Sequence, residues 1–252
     1  MNRKINGVLV SAIMTLGLVP VASLSDCNDE PAAGVNWAGC DKRGIDLAGM
    51  DLSNAVFTRA NLEGANLTGT RLSHADLNLS KLNNAKFDEA RMIGARLIGV
   101  KAERASFRNS ILDDASLSRA ILNSADFSGA RLRRVSFYEA RLDDADFSKA
   151  NLEGARLERA KLFATRFEEA NLVAANIEAA DAETASFRKA NMAKAVLDDA
   201  VLREADFTEA DLSKASLRKA IIDDAVFDAA ILSDTIWVQY QRCRANSVGE
   251  CR

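Results

Sequence analysis

The segment ARLDDADFSKANLEGARLERAKL, residues 140–162, returns to alanine every five residues and places a large apolar residue two positions after each alanine. A period of five excludes both regular elements. A helix turns about 100° per residue, so a five-residue step moves the apolar side chain by about 140° and no stripe forms. In a strand the side chain changes face at every residue, so an odd step sends successive leucines to opposite faces. The register holds only if the chain changes direction once in each unit and brings every large residue to a common axis. A chain with this pattern must coil.

The register is long and unbroken. Centres run Leu47, Leu52, Phe57, Leu62 and onward in fives to Phe227, Leu232 and Trp237. Alanine stands two places earlier in most units, as at Ala55, Ala60, Ala145 and Ala230, and the remaining positions are mostly polar or Gly. Two residues of every five therefore point inward, one large and one small. A second period lies inside the first. Phe87, Phe107, Phe127, Phe147, Phe167, Phe187, Phe207 and Phe227 are each twenty residues apart, and only Phe57, Phe137 and Phe163 stand outside the series. Four units to a coil would put all eight rings on one wall at about 4.8 Å, the spacing of neighbouring strands, which suits offset ring stacking. A three-sided coil would scatter them, so a square cross-section is expected.

Units such as ANLEG at 60–64 and 150–154, ADFSG at 125–129 and ADLSK at 210–214 resemble the A-[D/N]-L-x-x motif of the pentapeptide repeat proteins. The resemblance covers residues 45–237, thirty-nine consecutive units. It implies an all-β fold, a right-handed quadrilateral β-helix of about ten four-sided coils. Arg141, Arg156 and Lys161 depart from the motif between alanine and centre, where only the surface is expected to change. The expected organisation is a signal peptide over 1–25, an N-terminal cap over 26–44, the repeat β-helix over 45–237 and a C-terminal cap or tail over 238–252. Inside the coil, Val100 enlarges a small position while its centre, Ala102, is reduced, which conserves volume. Ala182 has Ala180 as its small partner, so a local void or an inward wall is expected there, with water or a bend as further outcomes.

The first residues follow a different pattern. Arg3 and Lys4 precede an apolar run from Val8 to Ala22 and then small residues, as in a secretory signal peptide. The run is short of the roughly 20 residues a membrane span needs. An uncleaved anchor is the other reading, and Asp26 before Cys27 is unlike a lipidation site. Removing Arg3 and Lys4 takes the basic count from 33 to 31 against 36 acidic residues, a net charge of −5 for the mature chain.

Cys27 and Cys40 precede the repeats, and Cys243 and Cys251 follow them. About ten coils at 4.8 Å separate the two ends by almost 50 Å, whereas a disulfide needs Cα atoms about 4.4–6.8 Å apart. Pairing within each end is thus expected, with free thiols as the alternative; the spacings lack the paired C-x-x-C elements of a zinc site. The ends of a solenoid expose apolar core and an unpaired edge, so caps are needed. VNWAG at 35–39 keeps the register, putting Trp37 on a centre ten coils before Trp237. Both tryptophans are read as lids over the core.

Nothing in the pattern points to an enzyme. The one histidine, His74, takes an outward position in RLSHA, and no Gly-rich phosphate loop or serine nucleophile motif occurs. The acid pairs Asp113–Asp114, Asp143–Asp144, Asp198–Asp199 and Asp223–Asp224 also face outward, but Arg133, Arg134, Arg203, Arg218 and Lys219 share that exterior. No catalytic residue, metal ligand or cofactor is expected. Two functions stay open: an exported, non-catalytic rod for a protein or cell-envelope partner in the bacterial periplasm or outside the cell, and a DNA-mimicking, topoisomerase-protecting protein, which the resemblance also allows. The second needs a concentrated acidic field and a cytoplasmic location. Mixed charge and the expected signal peptide favour the first, with no small-molecule substrate, no nucleic acid and no transmembrane span in the mature chain.

Overall fold

The computed structural model describes residues 26–252; the expected signal peptide lies outside the described residues. From Asn36 onward the chain repeats one local conformation. The residue before each centre forms a parallel bridge to the residue twenty positions later, in an unbroken series from Asn36↔Val56 to Ser216↔Ile236. The centre then opens a tight turn closed by a bond such as Met50 N–H to Leu47 C=O at 3.1 Å, and the second turn residue has positive φ. Positive φ at that position alone marks a type II turn. One such turn per five residues makes each corner, and four corners bring the chain back above itself.

Coils are joined by backbone hydrogen bonds that repeat with the same twenty-residue logic. Leu47 and Gly49 donate to the carbonyls of Asn66 and Thr68, both at 2.8 Å, and Asn66 donates back to Ile45 at 2.9 Å. Each wall contributes a single bridge per coil, so the β-structure is a set of short ladders running along the rod. We name the walls by their centres: the Phe wall (Leu47, Leu67, Phe87 to Phe227), the Leu52 wall, the Trp wall (Trp37, Phe57 to Trp237) and the Leu62 wall.

The interior is one continuous apolar column in which centres and small positions are buried except towards the two ends. On the Phe wall the eight rings stack without a gap, centroids 4.6–5.1 Å apart and planes within 7° of parallel. Phe137 lies half a coil from Phe127 and Phe147 and therefore faces them from the opposite wall. It meets both edge-on, at 5.6 and 5.5 Å. At two small positions taken by threonine the buried hydroxyl finds a carbonyl, Thr165 Oγ1 at Leu142 (2.9 Å) and Thr235 Oγ1 at Leu212 (2.7 Å). Phe163 sits one place past its centre and is exposed.

Of the outcomes expected at Ala182, the bend is not seen. The bridges Lys161↔Asp181 and Asp181↔Val201 run through this unit, and Ala182 N–H donates to Val201 at 2.8 Å. Ala182 is fully buried. Half a coil on, Met192 occupies the facing wall, as Met92 does opposite Ala102. A long, flexible thioether suits the volume that each alanine leaves.

Candidate functional surfaces

Outward side chains are positioned by the coil period. Residues twenty apart lie one above the other, and opposite charges recur at that step. Arg96 reaches Asp76 at 3.3 Å, Arg108 reaches Asp88 at 2.8 Å, Arg134 reaches Asp114 at 2.8 Å and Arg166 reaches Asp146 at 2.8 Å. Asp113 is buried and held by Arg131 at 3.0 Å and by Arg133 at 2.6 Å. Each acid pair has a basic partner: Asp198 takes Arg218 at 2.7 Å, Asp223 takes Arg203 at 3.6 Å and Asp143 takes Arg141 at 3.9 Å.

Some of these contacts shift the groups they join. The hydrogen bond from Arg134 holds the Asp114 carboxyl below the usual carboxylate range. At Asp88 burial acts to raise the pKa, but hydrogen bonds from the Arg108 and Ser106 side chains and the Arg108 N–H outweigh it and the group is lowered. Arg108, Arg133, Arg134 and Arg218 are raised by their hydrogen bonds to Asp88, Asp113, Asp114 and Asp198. Acids so engaged favour a structural role for the walls over cation binding. Among the described residues no His, Cys, Asp and Glu cluster is arranged to hold a metal ion. His74 lies on the surface over Gly94, where an added Cβ would come within 2.8 Å of the imidazole Nδ1. Two grooves open on the Trp wall. One, of about 220 Å³, is lined by Tyr138, Glu158, Arg159, Glu178 and Ala179; the other, of about 140 Å³, by Asp198, Asp199, Arg218, Lys219 and Tyr240.

The two ends differ. At the N-terminal end Cys27 is bonded to Cys40 with Cα atoms 5.5 Å apart. Trp37 is fully buried, tilts against Phe57 at 5.8 Å and donates its Nε1–H to the Asp29 carbonyl at 3.2 Å. Lys42, at an inward position of the first coil, sets its Nζ 3.9 Å from the Trp37 ring centroid, a cation–π contact that sequence reasoning did not anticipate. Trp37 is thus covered in turn. At the C-terminal end Cys243 is bonded to Cys251 with Cα atoms 4.8 Å apart. The tail leaves the coil path after Trp237, which packs edge-on against Phe227 at 5.1 Å. It doubles back in antiparallel bridges, Ile236↔Arg242 and Ile231↔Val248. It therefore caps the ends of the Trp and Leu52 walls, and among the described residues no further coil covers the Leu62 and Phe walls. Ile222 and Phe227 are part-buried there, whereas Leu202 and Phe207 one coil earlier are fully buried.

A bridge ladder wound in square coils around a filled apolar column defines a β-solenoid repeat protein. Descriptions of two sequence families match it: "Pentapeptide repeats (8 copies)" over 39–73, 65–101, 165–203, 185–224 and 195–234, and "Pentapeptide repeat region" over 100–177. The chain belongs to the pentapeptide repeat family, and its fold is the right-handed quadrilateral β-helix. Among solved structures it is similar to HetL, a pentapeptide repeat protein involved in heterocyst differentiation regulation from the cyanobacterium Nostoc sp. strain PCC 7120. That likeness has 29% identity and a TM-score of 0.49, covering 79% of this chain and 92% of that one. A pentapeptide repeat protein of the Arabidopsis thaliana thylakoid lumen matches at 30% identity and TM-score 0.35, over 36% of this chain and 63% of that one. QnrB1, a plasmid-mediated fluoroquinolone resistance protein, matches at 19% identity and TM-score 0.30, over 74% and 90%. No curated protein matches the chain.

Proposed function

We propose that the chain is an exported, non-catalytic rod that binds a protein or cell-envelope partner in an oxidising compartment. The observation that carries this reading is the placement of the disulfides: both cysteine pairs fasten an end of the coil, and the repeats hold no other cysteine. Such bonds persist in secreted and periplasmic proteins and are rare where thiols are kept reduced. The apolar run behind Arg3 and Lys4 supports export. Charged grooves without a nucleophile and base in contact give no support to catalysis. Along the walls acidic groups alternate with arginines twenty residues away, which weighs against the concentrated negative field that DNA mimicry needs.

Photo-cross-linking residues placed at outward positions of the four walls and at the open end, in cells that make the protein, test this reading. A defined adduct in the periplasmic or envelope fraction is expected. A cytoplasmic protein with four reduced thiols would overturn export, and a protein that yields no adduct from any position would overturn the interaction role.

A further inference from the structure

We infer that the uncapped half of the C-terminal end, Ile221–Ala229, is a docking edge for an extended, lysine- or arginine-bearing segment of a partner protein. One coil earlier, Leu202, Glu204 and Phe207 N–H groups donate to Ile221, Asp223 and Val226 at 2.8, 2.9 and 2.7 Å. Ile221 and Val226 donate back to Ala200 and Ala205, both at 2.9 Å. The equivalent groups of the last coil are left over. Among the described residues the N–H groups of Ile222, Asp224 and Phe227 have no acceptor, and the carbonyls of Ala220 and Ala225 have no donor. This is the pattern that a further parallel segment would complete with one short bridge on each wall and a bend at the corner between them. Edge addition of a peptide uses such main-chain groups for affinity and the flanking side chains for selection.

The flanks specify what the segment carries. Ile222 and Phe227 are part-buried at the rim of the core, so the inward face of the strand should be apolar, whereas Ile221 and Val226, 37% and 40% exposed, lie on the outward face. Asp223, Asp224 and Asp228 line the same edge and are exposed. Only Asp223 has an ion-pair partner among the described residues, Arg203. A strand alternating apolar and basic residues meets both demands, because successive side chains point to opposite sides. A second copy pairing through this edge would bring its own three aspartates against these three, which disfavours self-association. The far limit of the site is set by the tail: a Cβ on Gly249 would lie 3.7 Å from Phe227 O and 3.9 Å from Ala229 N.

The inference rests on the interaction reading and not on export. Its test uses the disulfide-bonded chain and a short synthetic peptide alternating lysine and valine, with a glutamate–valine peptide and a backbone N-methylated lysine–valine peptide as comparisons. Amide exchange at Ile222, Asp224 and Phe227 should slow with the lysine–valine peptide alone. The variant carrying Asp224→Lys and Asp228→Lys should bind that peptide about tenfold more weakly, the product of two exposed ion pairs of ordinary strength, and should now accept the glutamate peptide. Equivalent turn positions already hold Lys219 and Arg188, so the variant should fold. Three results would overturn the inference: no slowing at these amides, equal binding of both charged peptides regardless of the substitutions, or slowing that rises with protein concentration in the absence of peptide. Loss of this site with wall adducts retained in cells would remove the docking edge and leave the interaction reading standing.

Discussion

Phe147→Ala should destabilise the middle of the rod more than Phe187→Ala, although both rings are fully buried and belong to one stack. Truncating a buried Phe costs about 3–5 kcal/mol through lost transfer energy and the cavity left behind. Phe187 stacks on Phe167 and Phe207 at 5.0 and 4.9 Å. Phe147 stacks on Phe127 and Phe167 at 4.8 and 5.1 Å and also receives the edge of Phe137 at 5.5 Å. An aromatic pair is worth about 0.5–1.5 kcal/mol beyond its area, so the third partner should set the two variants apart by about that amount. A solenoid need not unfold as one unit, so a single melting temperature is a poor measure. Native-state exchange reports each coil separately, and useful probes are the amides of Phe127, which donates to Asp146 at 2.7 Å, and Arg166, which donates to Ala145 at 2.9 Å. Glu153→Ala, at an exposed outward position, should change protection by less than about 0.5 kcal/mol. Equal losses for Phe147→Ala and Phe187→Ala would refute the cross-wall contact, and a loss as large for Glu153→Ala would refute the inward and outward assignment.

Three further outcomes follow from the same geometry. Ala174 is exposed with φ of +55°, so Ala174→Gly should stabilise its coil by about 0.5–1 kcal/mol, the left-handed penalty less the entropy of glycine, and Gly154→Ala should cost a similar amount, read by thermal and exchange measurements. The folded Asp88 and Asp114 carboxyls are lowered, so the stability they supply is present above the unfolded value of about 3.9 and is lost as pH falls through the folded values. Exchange near these coils should therefore speed up on acidification below about pH 4, and Asp88→Asn should blunt that response; an unchanged acid response in the variant would count against the assignment. Reducing both disulfides should let the ends fray, with protection lost over Leu47–Leu62 and Leu217–Trp237 and little change at Phe147, whereas uniform loss along the rod would show that the bonds do more than clamp the ends.

The coil was legible because it is written in side-chain volume. Leu47 to Trp237 keep one register, and the Phe87 to Phe227 spacing separates a square from a triangle by itself. Features that depend on groups meeting across the coil were harder to read. Ala182 looks deficient within its own unit because Met192, on the facing wall, belongs to a later unit. The left-handed turn residue is signalled by Gly44, Gly49, Gly64 and Gly69, but the same conformation is held by Arg59, Glu89 and Thr184, whose identities hide it. Ladder bonds over-determine those positions. The half-capped end was missed for a different reason. Repeat periodicity says where coiling stops and not where the following residues go. Its one sequence signal is the run of β-branched outward residues Ile221, Val226, Ile231 and Ile236, where earlier coils mostly carry polar or charged residues.

A rod that works outside the cytoplasm should be processed at its N-terminus and locked at both ends. Intact-mass measurement of the protein recovered from the periplasmic or extracellular fraction tests both parts at once. The predicted species begins after about residue 22–25, as for a cleaved signal peptide, and is lighter by about four daltons than its reduced form, two hydrogens for each disulfide. A full-length chain starting at Met1, recovered in soluble form at the fully reduced mass, would contradict it.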